Sequence, residues 1–308
     1  MSKRPLIFDC DPGTDDAIAL MTAFVSEEFN IVAITSVAGN VGIEHTTRNA
    51  IQLAELAGVD IPVAQGAAQP LYRAQKIAAH VHGANGLRGI ELPPAKAKPI
   101  GSAVDAIVSA AHQYAGELEI LAVGPLTNLA HAFLLHPEII PLIKHIMIMG
   151  GGHHVGNATP AAEFNIYADP EAAKLVFESG IPMYMVGLDV TTARGLTRDE
   201  TESFFTTMNP QTDVIHKILN DRIKAEGSQY PDEAFIHDAM TFLFMVDPDI
   251  LGGDWYHVDL ETKSDISFGK TVVDYYHVTG KPKNCWVALE LHYERYRDLL
   301  MERLRRYE

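Results

Sequence analysis

The first 190 residues alternate short apolar runs with longer amphipathic stretches. Each apolar run leads into a loop rich in Gly, Asn or Asp, and most of these loops lead into a stretch of helical periodicity. Continuous apolar runs between helices are typical of strands buried on both faces. The pattern therefore predicts an α/β fold, a doubly wound and mostly parallel sheet with helices on both faces. The predicted strands lie in PLIFDC, FNIVAITSV, LEILAVG, HIMIMGG and PMYMVGLDV.

The stretches between these runs predict six helices. The last begins with TRDE, in which Thr197 as N-cap and Glu200 three residues later form a capping box. The Gly- and Pro-rich segment 69–100 interrupts the alternation and predicts a long loop over one end of the sheet. The predicted helices span residues 15–26, 44–57, 102–114, 126–136, 169–179 and 197–208.

The pattern changes after Gly195, where two helical segments precede three strand-like runs and a closing helix over 293–307. The sequence contains no internal repeat, low-complexity tract or flexible linker. We therefore expect a single domain over residues 1–308, with C-terminal helical and β additions.

The charge balance narrows the class of partner. With 24 Lys and Arg against 40 Asp and Glu, the formal charge is -16, which argues against broad contact with nucleic acid or an anionic membrane and favours a small neutral or cationic partner. The two cysteines, Cys10 and Cys285, give neither a disulfide framework nor zinc-ligand spacing. Apolar runs are too short for a signal peptide or a membrane span, so we expect a cytoplasmic protein.

The segment DCDPGTDD, residues 9–16, places four carboxylates directly after an apolar run. Buried carboxylates at this density repel one another unless a cation or protons compensate their charge. A turn followed by a helix cap would explain one or two of the four. Because hard oxygen ligands suit Ca²⁺ or Mg²⁺ rather than zinc, the segment predicts a site for one of these metals.

Short polar side chains follow other predicted strands. In AEFNIYADP, an extended backbone would direct Glu163 and Asn165 to one side and Phe164 to the other. Together with Asn40 and Asn157, these groups suit the hydroxyls of a sugar, although any one asparagine could simply cap a loop. Ligands of open α/β sheets bind beyond the carboxyl ends of the strands, so we expect the motifs to converge there.

The segment FIHDAM places His237 and Asp238 before an apolar helix. Asp238 could be only the N-cap of that helix, and His237 could be an ordinary surface histidine. The pair would also give a metal-assisted hydrolase one more ligand and one proton donor.

These motifs together, with HGANG, VGPLTNLA and MGGGHHVGNATPAAEFNIYADPEAA, resemble the nucleoside hydrolase family of the inosine-uridine-preferring type. They run in family order from Asp9 to Asp238, and D-x-D-P-G-x-D-D is not a pattern that α/β proteins in general share. The resemblance implies Ca²⁺-dependent hydrolysis of the N-glycosidic bond of ribonucleosides, of the pyrimidine-preferring or nonspecific type. It also implies a homo-oligomer, a tetramer or a dimer.

The resemblance implies a role for each motif residue. Ca²⁺ would be bound by Asp11, Asp16, Asp238 and the main-chain carbonyl of Val123, and Asp11 would also be the general base for a metal-bound water. The ribose would be held by Asp15 and Asn165 at the 2′- and 3′-hydroxyls, and by Asn157 and Glu163 at the 5′-hydroxyl, while Asn40 would help to place the metal and water.

The same resemblance places the nucleobase. His237 matches the position that protonates or hydrogen-bonds the leaving base in nonspecific and pyrimidine-preferring members, and His82 matches a second position of the base pocket. Phe164 is counted among the substrate contacts. Tyr230 is proposed as a base contact, because it and Phe235 are the aromatic residues between Asp221 and Ile236.

Two other functions are compatible with parts of the sequence. A haloacid-dehalogenase-type phosphatase would also have an apolar strand followed by D-x-D, but that family has Thr or Val where this chain has Gly13, and Thr14 comes one residue late. A nucleoside- or sugar-binding sensor would keep the hydroxyl contacts without needing Asp11 and His237.

Overall fold

A computed structural model describes residues 3–223 and 232–308. The apolar runs of the sequence form the strands of its central sheet. Additional short strands lie in the C-terminal part. In chain order the strands are β1 (Arg4–Cys10), β2 (Phe29–Ser36), β3 (Val63–Gln65), β4 (Leu118–Ala122), β5 (Ile143–Met149), β6 (Met183–Val186), β7 (Leu196–Thr197), β8 (Glu233–Ala234), β9 (Leu251–Tyr256), β10 (Val258–Leu260), β11 (Thr271–Val273) and β12 (Cys285–Leu291).

The helices follow most of the strands, as the alternating pattern predicts. They are α1 (Thr14–Phe24), α2 (Ile43–Ala57), α3 (Ala79–His82), α4 (Ala103–Gln113), α5 (Thr127–Leu135), α6 (Phe164–Ala168), α7 (Pro170–Phe177), α8 (Leu188–Thr191), α9 (Arg198–Glu202), α10 (Pro210–Ile223), α11 (His237–Val246) and α12 (Tyr293–Leu304). Short 3-10 helices span Pro137–Leu142, Pro248–Ile250 and Arg305–Tyr307.

Eight strands form the central sheet in the order β3-β2-β1-β4-β5-β6-β12-β9. Neighbouring strands are parallel except for β9, which runs antiparallel to β12 at one edge. From β1 the chain builds β2 and β3 on one side and later β4, β5 and β6 on the other. The predicted doubly wound, mostly parallel sheet is confirmed, and its switch point lies between β1 and β4.

Alternate side chains of β1 enter two cores, one on each face of the sheet. Leu6 and Phe8 pack in the core that also contains residues of α1, α2, α10, α11 and α12. Ile7 points to the opposite face and packs with residues of α4, α5 and α7. This two-sided burial explains why the strand is a continuous apolar run in the sequence.

The predicted helix 197–208 is wrong over its second half. Thr197 and Glu200 form the expected capping box, but α9 ends at Glu202. Phe204 is fully buried in the core, and the backbone N–H groups of Thr206 and Thr207 donate to the carboxylate of Glu308. Tertiary hydrogen bonds therefore replace the bonds that would have continued the helix.

The long segment 69–100 is confirmed as a loop that contains one helical turn, α3. Within the described residues, no helix has the length and apolar character required to cross a membrane.

Candidate active site

The polar motifs converge at the carboxyl ends of the parallel strands, where they line a cavity of about 160 Å³. Asp11 and Asp16 lie fully buried behind its surface, and Tyr230 lies outside the described residues. The remaining ten predicted site residues, all in the cavity lining, are Asp15, Asn40, His82, Val123, Asn157, Glu163, Phe164, Asn165, His237 and Asp238.

A tight turn between β1 and α1 places the aspartates. The carboxylate of Asp16, in the first turn of α1, accepts hydrogen bonds from the backbone N–H of Asp11 at 3.1 Å and of Gly13 at 3.0 Å. Negative charge is favourable at the N-terminus of a helix. A Cβ at Gly13 would lie 2.5 Å from His82 Nδ1, so the turn needs glycine at this position.

The carboxylates form a cluster that could hold a cation. Oxygen atoms of Asp15, Asp16 and Asp238 lie within 4.8 Å of one another. Asp11 stands beside this group: its Oδ2 accepts the backbone N–H of Asn40 at 2.7 Å, and Asn40 Nδ2 donates to Asp16 Oδ2 at 3.0 Å. The Oδ1 atoms of Asp11 and Asp15 are buried and have no hydrogen-bond partner among the described residues.

Electrostatics support a cation at this cluster. Burial, with the negative charge of its neighbours, raises the pKa of Asp11 and Asp238 well above the usual range and that of Asp16 to about 7. Burial also raises the pKa of Asp15, but Arg222, His82, His237 and a backbone hydrogen bond together outweigh burial and leave that pKa below its usual value. Unpartnered carboxylate oxygens in such a site fit a hard divalent cation.

Asp9, the fourth carboxylate of the motif, does not join the cluster. Its Oδ2 accepts hydrogen bonds from Thr35 Oγ1 at 2.6 Å and Asn128 Nδ2 at 2.7 Å. Burial raises its pKa to about 7. The motif therefore contributes three carboxylates to the site and one to the hydrogen bonds between neighbouring strands and α5.

The extended conformation predicted for AEFNIYADP is wrong. Residues from Phe164 form the short helix α6, because the carboxylate of Glu163 caps it by accepting the N–H groups of Asn165 at 2.8 Å and Ile166 at 3.2 Å. Phe164 lines the cavity together with Glu163 and Asn165 and does not point to the opposite side. Burial raises the pKa of Glu163 to about 7.

The asparagines both stabilise the local backbone and face the cavity. Asn157 Oδ1 accepts the N–H of Phe164 at 2.9 Å. Asn165 Nδ2 donates to the carbonyl of Val123 at 2.8 Å and of Met149 at 3.1 Å. Asn157 and Asn165 therefore hold the local backbone and also line the cavity.

Two histidines line the same cavity, and His82 Nδ1 lies 3.8 Å from Asp15 Oδ1. His82 Nδ1 accepts the N–H of Thr14 at 3.2 Å, and His237 Nδ1 lies 2.9 Å from Thr191 Oγ1. Burial lowers the pKa of each histidine to about 4, so both are neutral at pH 7. The N-cap of α11 is Ile236, so the interpretation of Asp238 as an N-cap is wrong.

Sequence reasoning missed Arg222, which lines the same cavity from α10. Its Nη1 donates to Thr14 Oγ1 at 2.7 Å and lies 3.4 Å from Asp15 Oδ1. The sequence did contain a sign of this role, because Arg222 is a charged residue on the buried stripe of a helix, one turn after Ile218.

A second cavity, of about 360 Å³, is larger, but its lining contains neither the clustered aspartates nor the two histidines. Its lining includes Arg73, whose guanidinium is paired with Glu171 at 2.7 Å and stacked over Phe268. The acidic cluster adjoins the smaller cavity, and buried His82 and partly buried His237 line it, so the smaller cavity is the candidate active site.

Comparisons with known proteins identify the family of this chain. The family model described as inosine-uridine preferring nucleoside hydrolase matches residues 6–298. The pyrimidine-specific ribonucleoside hydrolase RihA of Salmonella enteritidis PT4 is 42% identical over 98% of this chain and 99% of its own length.

Two solved structures have the same fold across the whole chain. The plant nucleoside hydrolase PpNRh1 superposes with a TM-score of 0.91 at 33% identity, over 98% of this chain and 99% of that one. The purine-preferring ribonucleoside hydrolase from Gardnerella vaginalis gives a TM-score of 0.92 at 30% identity, over 98% of each chain. The match of fold, motifs and full length establishes that this chain belongs to the inosine-uridine preferring nucleoside hydrolase family.

Proposed function

We propose that this protein hydrolyses pyrimidine ribonucleosides to free base and ribose, with Ca²⁺ as its metal. Cleavage of an N-glycosyl bond follows from the family. The observation that carries the proposal is the buried carboxylate cluster that adjoins a cavity lined by asparagines and two histidines. The pyrimidine preference is supported by the 42% identity to RihA, which exceeds the 30% identity to the purine-preferring enzyme.

The carboxylates have the chemistry of a calcium site. Asp11, Asp16, Asp238 and the carbonyl of Val123 are the proposed ligands, and Asp15 lies close enough to the cluster to share its charge. When bound, Ca²⁺ would lower the pKa of a water molecule and polarise the hydroxyls of ribose. Carboxylate and carbonyl oxygens are the ligands that this cation prefers.

Asp11 is the proposed general base. It would take a proton from water as the water attacks the anomeric carbon of ribose. Asp11 is fully buried beside the carboxylate cluster, and the backbone N–H of Asn40 holds its Oδ2 at 2.7 Å. The acidic surroundings would also stabilise positive charge that develops on the ribose in an oxocarbenium-like transition state.

The polar lining suits the hydroxyls of ribose. Asp15 and Asn165 are the proposed partners of the 2′- and 3′-hydroxyls, and in the described part of the chain no hydrogen bond is made to Asp15 Oδ1. Asn157 and Glu163, at the start of α6, are the proposed partners of the 5′-hydroxyl. Asn40 connects Asp11 to Asp16 and would keep the two carboxylates in place.

The proposed base pocket contains His82, Phe164 and His237, which line the same cavity. Because burial keeps His237 neutral at pH 7, it would hold the leaving base by a hydrogen bond rather than as a strong acid. The contact from Tyr230 stays a prediction.

The test is a chromatographic assay for released base with metal-free and Ca²⁺-reloaded protein. The substrates are uridine, cytidine, inosine, adenosine and deoxyuridine. We expect Ca²⁺-dependent release from uridine and cytidine, and slow release from deoxyuridine because its 2′-hydroxyl is missing. Binding of uridine without any release of base would refute hydrolysis and support a sensor instead.

The organisation of the protein is also proposed from the sequence. One domain over residues 1–308 is supported by α12, from which Arg303 forms an ion pair with Glu28 at 2.6 Å, joining the C-terminal helix to the start of the chain. A homotetramer or dimer and a cytoplasmic location stay predictions. Sedimentation of the purified chain would measure the oligomeric state.

A further inference from the structure

Arg222 occupies a position of α10 where the helix pattern calls for an apolar residue. The buried stripe of this helix runs through Ile215, Ile218 and Leu219, and Arg222 continues it by one turn. Its side chain is only 12% exposed, and it lines the candidate active site. A charged side chain is costly to bury, so its position needs a partner or a function.

Among the described residues, the contacts of Arg222 leave at least one of its donors unused. Nη1 donates to Thr14 Oγ1 at 2.7 Å and lies 3.4 Å from Asp15 Oδ1. Nε is buried and, within the described part of the chain, has no hydrogen-bond partner. An arginine carries five N–H donors and keeps its charge at every pH at which enzymes work.

Arg222 lies beside residues of both proposed subsites, the ribose site and the base pocket. It contacts Asp15, the proposed partner of the 2′-hydroxyl, and Thr14, which also bonds His82 in the proposed base pocket. In a pyrimidine nucleoside with the base turned away from the sugar, the carbonyl next to the glycosidic nitrogen lies nearest to the 2′-hydroxyl. A guanidinium at this junction is therefore placed to reach that carbonyl.

We propose that Arg222 is a further catalytic residue, which donates a hydrogen bond to the carbonyl oxygen beside the glycosidic nitrogen and stabilises the negative charge of the departing base. This inference rests on the proposed function. Of the described residues that line the cavity, Arg222 is the one lysine or arginine, so it is the permanent positive charge available to a leaving anion. Fixed donors aimed at a developing charge are among the strongest catalytic devices.

The step needs no proton from Arg222. The bond between the anomeric carbon and the base nitrogen breaks, and its electron pair stays on the base. The oxygen of water forms the new bond to the anomeric carbon, and the proton lost by that water passes through Asp11 and solvent to the base. The guanidinium keeps its protons throughout.

A purely positioning role for Arg222 predicts a different result. If Arg222 only oriented Asp15, its loss would weaken the ribose contacts and slow every riboside by the same factor. If it stabilises the base, its loss would slow only those substrates whose leaving group needs that help. The probe is therefore 4-nitrophenyl β-ribofuranoside, which has a good leaving group and no carbonyl beside the glycosidic atom.

The experiment measures kcat and KM of Ca²⁺-loaded Arg222→Gln on uridine and on the nitrophenyl riboside. We expect kcat on uridine to fall by about 10²–10³-fold, the usual loss for one donor to a developing anion. We expect the rate on the nitrophenyl riboside to stay near that of the wild type. The matched control is Arg194→Gln, an arginine that pairs with Glu294 on the surface and should leave both rates unchanged.

Two further variants keep the test decisive. Arg222→Lys retains the charge beside Asp15 and covers the case in which the glutamine variant does not fold; its uridine rate should fall while its nitrophenyl riboside rate is kept. Arg222→Gly should regain uridine activity when millimolar guanidinium is added. Equal losses on both substrates, or no loss on uridine, would overturn the role of Arg222. Absence of uridine cleavage by the wild type would overturn the proposed function as well.

Discussion

At the scale of single residues, the site depends on buried acids whose charges are not fully balanced by the protein. Within residues 3–223 and 232–308, the Oδ1 atoms of Asp11 and Asp15 have no hydrogen-bond partner, and the carboxylates of Asp15, Asp16 and Asp238 crowd together. Such groups cost stability unless they bind something. Their retention in a buried position is the physical sign of a cation site.

Replacement of Asp11 by alanine should abolish turnover, because it removes both the proposed base and a proposed metal ligand. A general base contributes about 10²–10⁴-fold, so kcat on uridine should fall at least by that range. The control is Asp213→Ala, a carboxylate on the exposed side of α10 that pairs with Lys217. An Asp11→Ala enzyme with more than a tenth of the wild-type rate would contradict this role.

At the scale of secondary structure, the β1–α1 turn positions the site by close packing. The backbone at Gly13 approaches His82 and Asn40 so closely that a Cβ would lie 2.5 Å from His82 Nδ1 and 2.7 Å from Asn40 Nδ2. Gly13 is also the N-cap of α1, so any shift of this residue moves the first turn of the helix and Asp16 with it.

Gly13→Ala should therefore lower kcat while leaving the protein folded. The added methyl group must displace His82 or the turn, and displacements of about 1 Å near reacting groups cost about 10²-fold in rate. The matched control is Gly42→Ala, since Gly42 is the N-cap of α2 and has nothing within 4 Å of its Cβ position. Kinetics and thermal unfolding of the two variants make the comparison, and similar activities would show that the turn tolerates a side chain.

At the scale of the whole molecule, the pKa values of buried acids differ between the two ends of the sheet. Glu119, near the start of β4, is paired with Lys144 at 2.7 Å and lies 3.5 Å from Arg4. Burial raises the pKa of Glu119, but hydrogen bonds from His145 and Lys144 outweigh it and lower the pKa to about 2. At the active-site end burial raises the pKa values of Asp11, Asp16, Asp238 and Glu163, whereas Asp15, beside Arg222, has a lowered pKa.

This asymmetry predicts how stability depends on pH. Asp16 and Glu163 have pKa values of about 7 in the fold, against 3.8 and 4.5 for the free groups. The folded protein therefore binds more protons than the unfolded chain between these values, and metal-free protein should lose stability as the pH rises from 5 to 8. Glu119 has a folded pKa of about 2 against 4.5 for the free group, so it contributes its full stability above pH 4.5. That contribution is lost as the pH falls from 4.5 towards 2.

Calcium should reverse this loss, because it replaces the protons on the carboxylates. Thermal unfolding with and without Ca²⁺ at pH 5 and pH 8 measures the stabilisation by the metal. The rise in Tm should be larger at pH 8, where protons compete less for the carboxylates. A ligand at 100 times its Kd stabilises by about 2.7 kcal/mol. Sodium chloride at equal ionic strength is the control, and a metal-free protein that is more stable at pH 8 would contradict the prediction.

The sequence by itself determined the alternating sheet and the motif residues at the strand ends. Apolar runs specify strands buried on both faces, as β1 shows with Leu6, Ile7 and Phe8. The density of acids in residues 9–16 predicted a metal-type site, because buried carboxylates repel one another unless cations, protons or hydrogen bonds compensate their charge. These features are local in the chain, so their physical cause can be read from neighbouring residues.

Only the tertiary structure decided the features that depend on distant contacts. Helix α9 ends early because Glu308 bonds Thr206 and Thr207, about 100 residues away in the chain. Asp9 is separated from the other aspartates by bonds to Thr35 and Asn128. Arg222 enters the site because the packing of α10 on the core directs its charge to Asp15, a partner that no local pattern could identify.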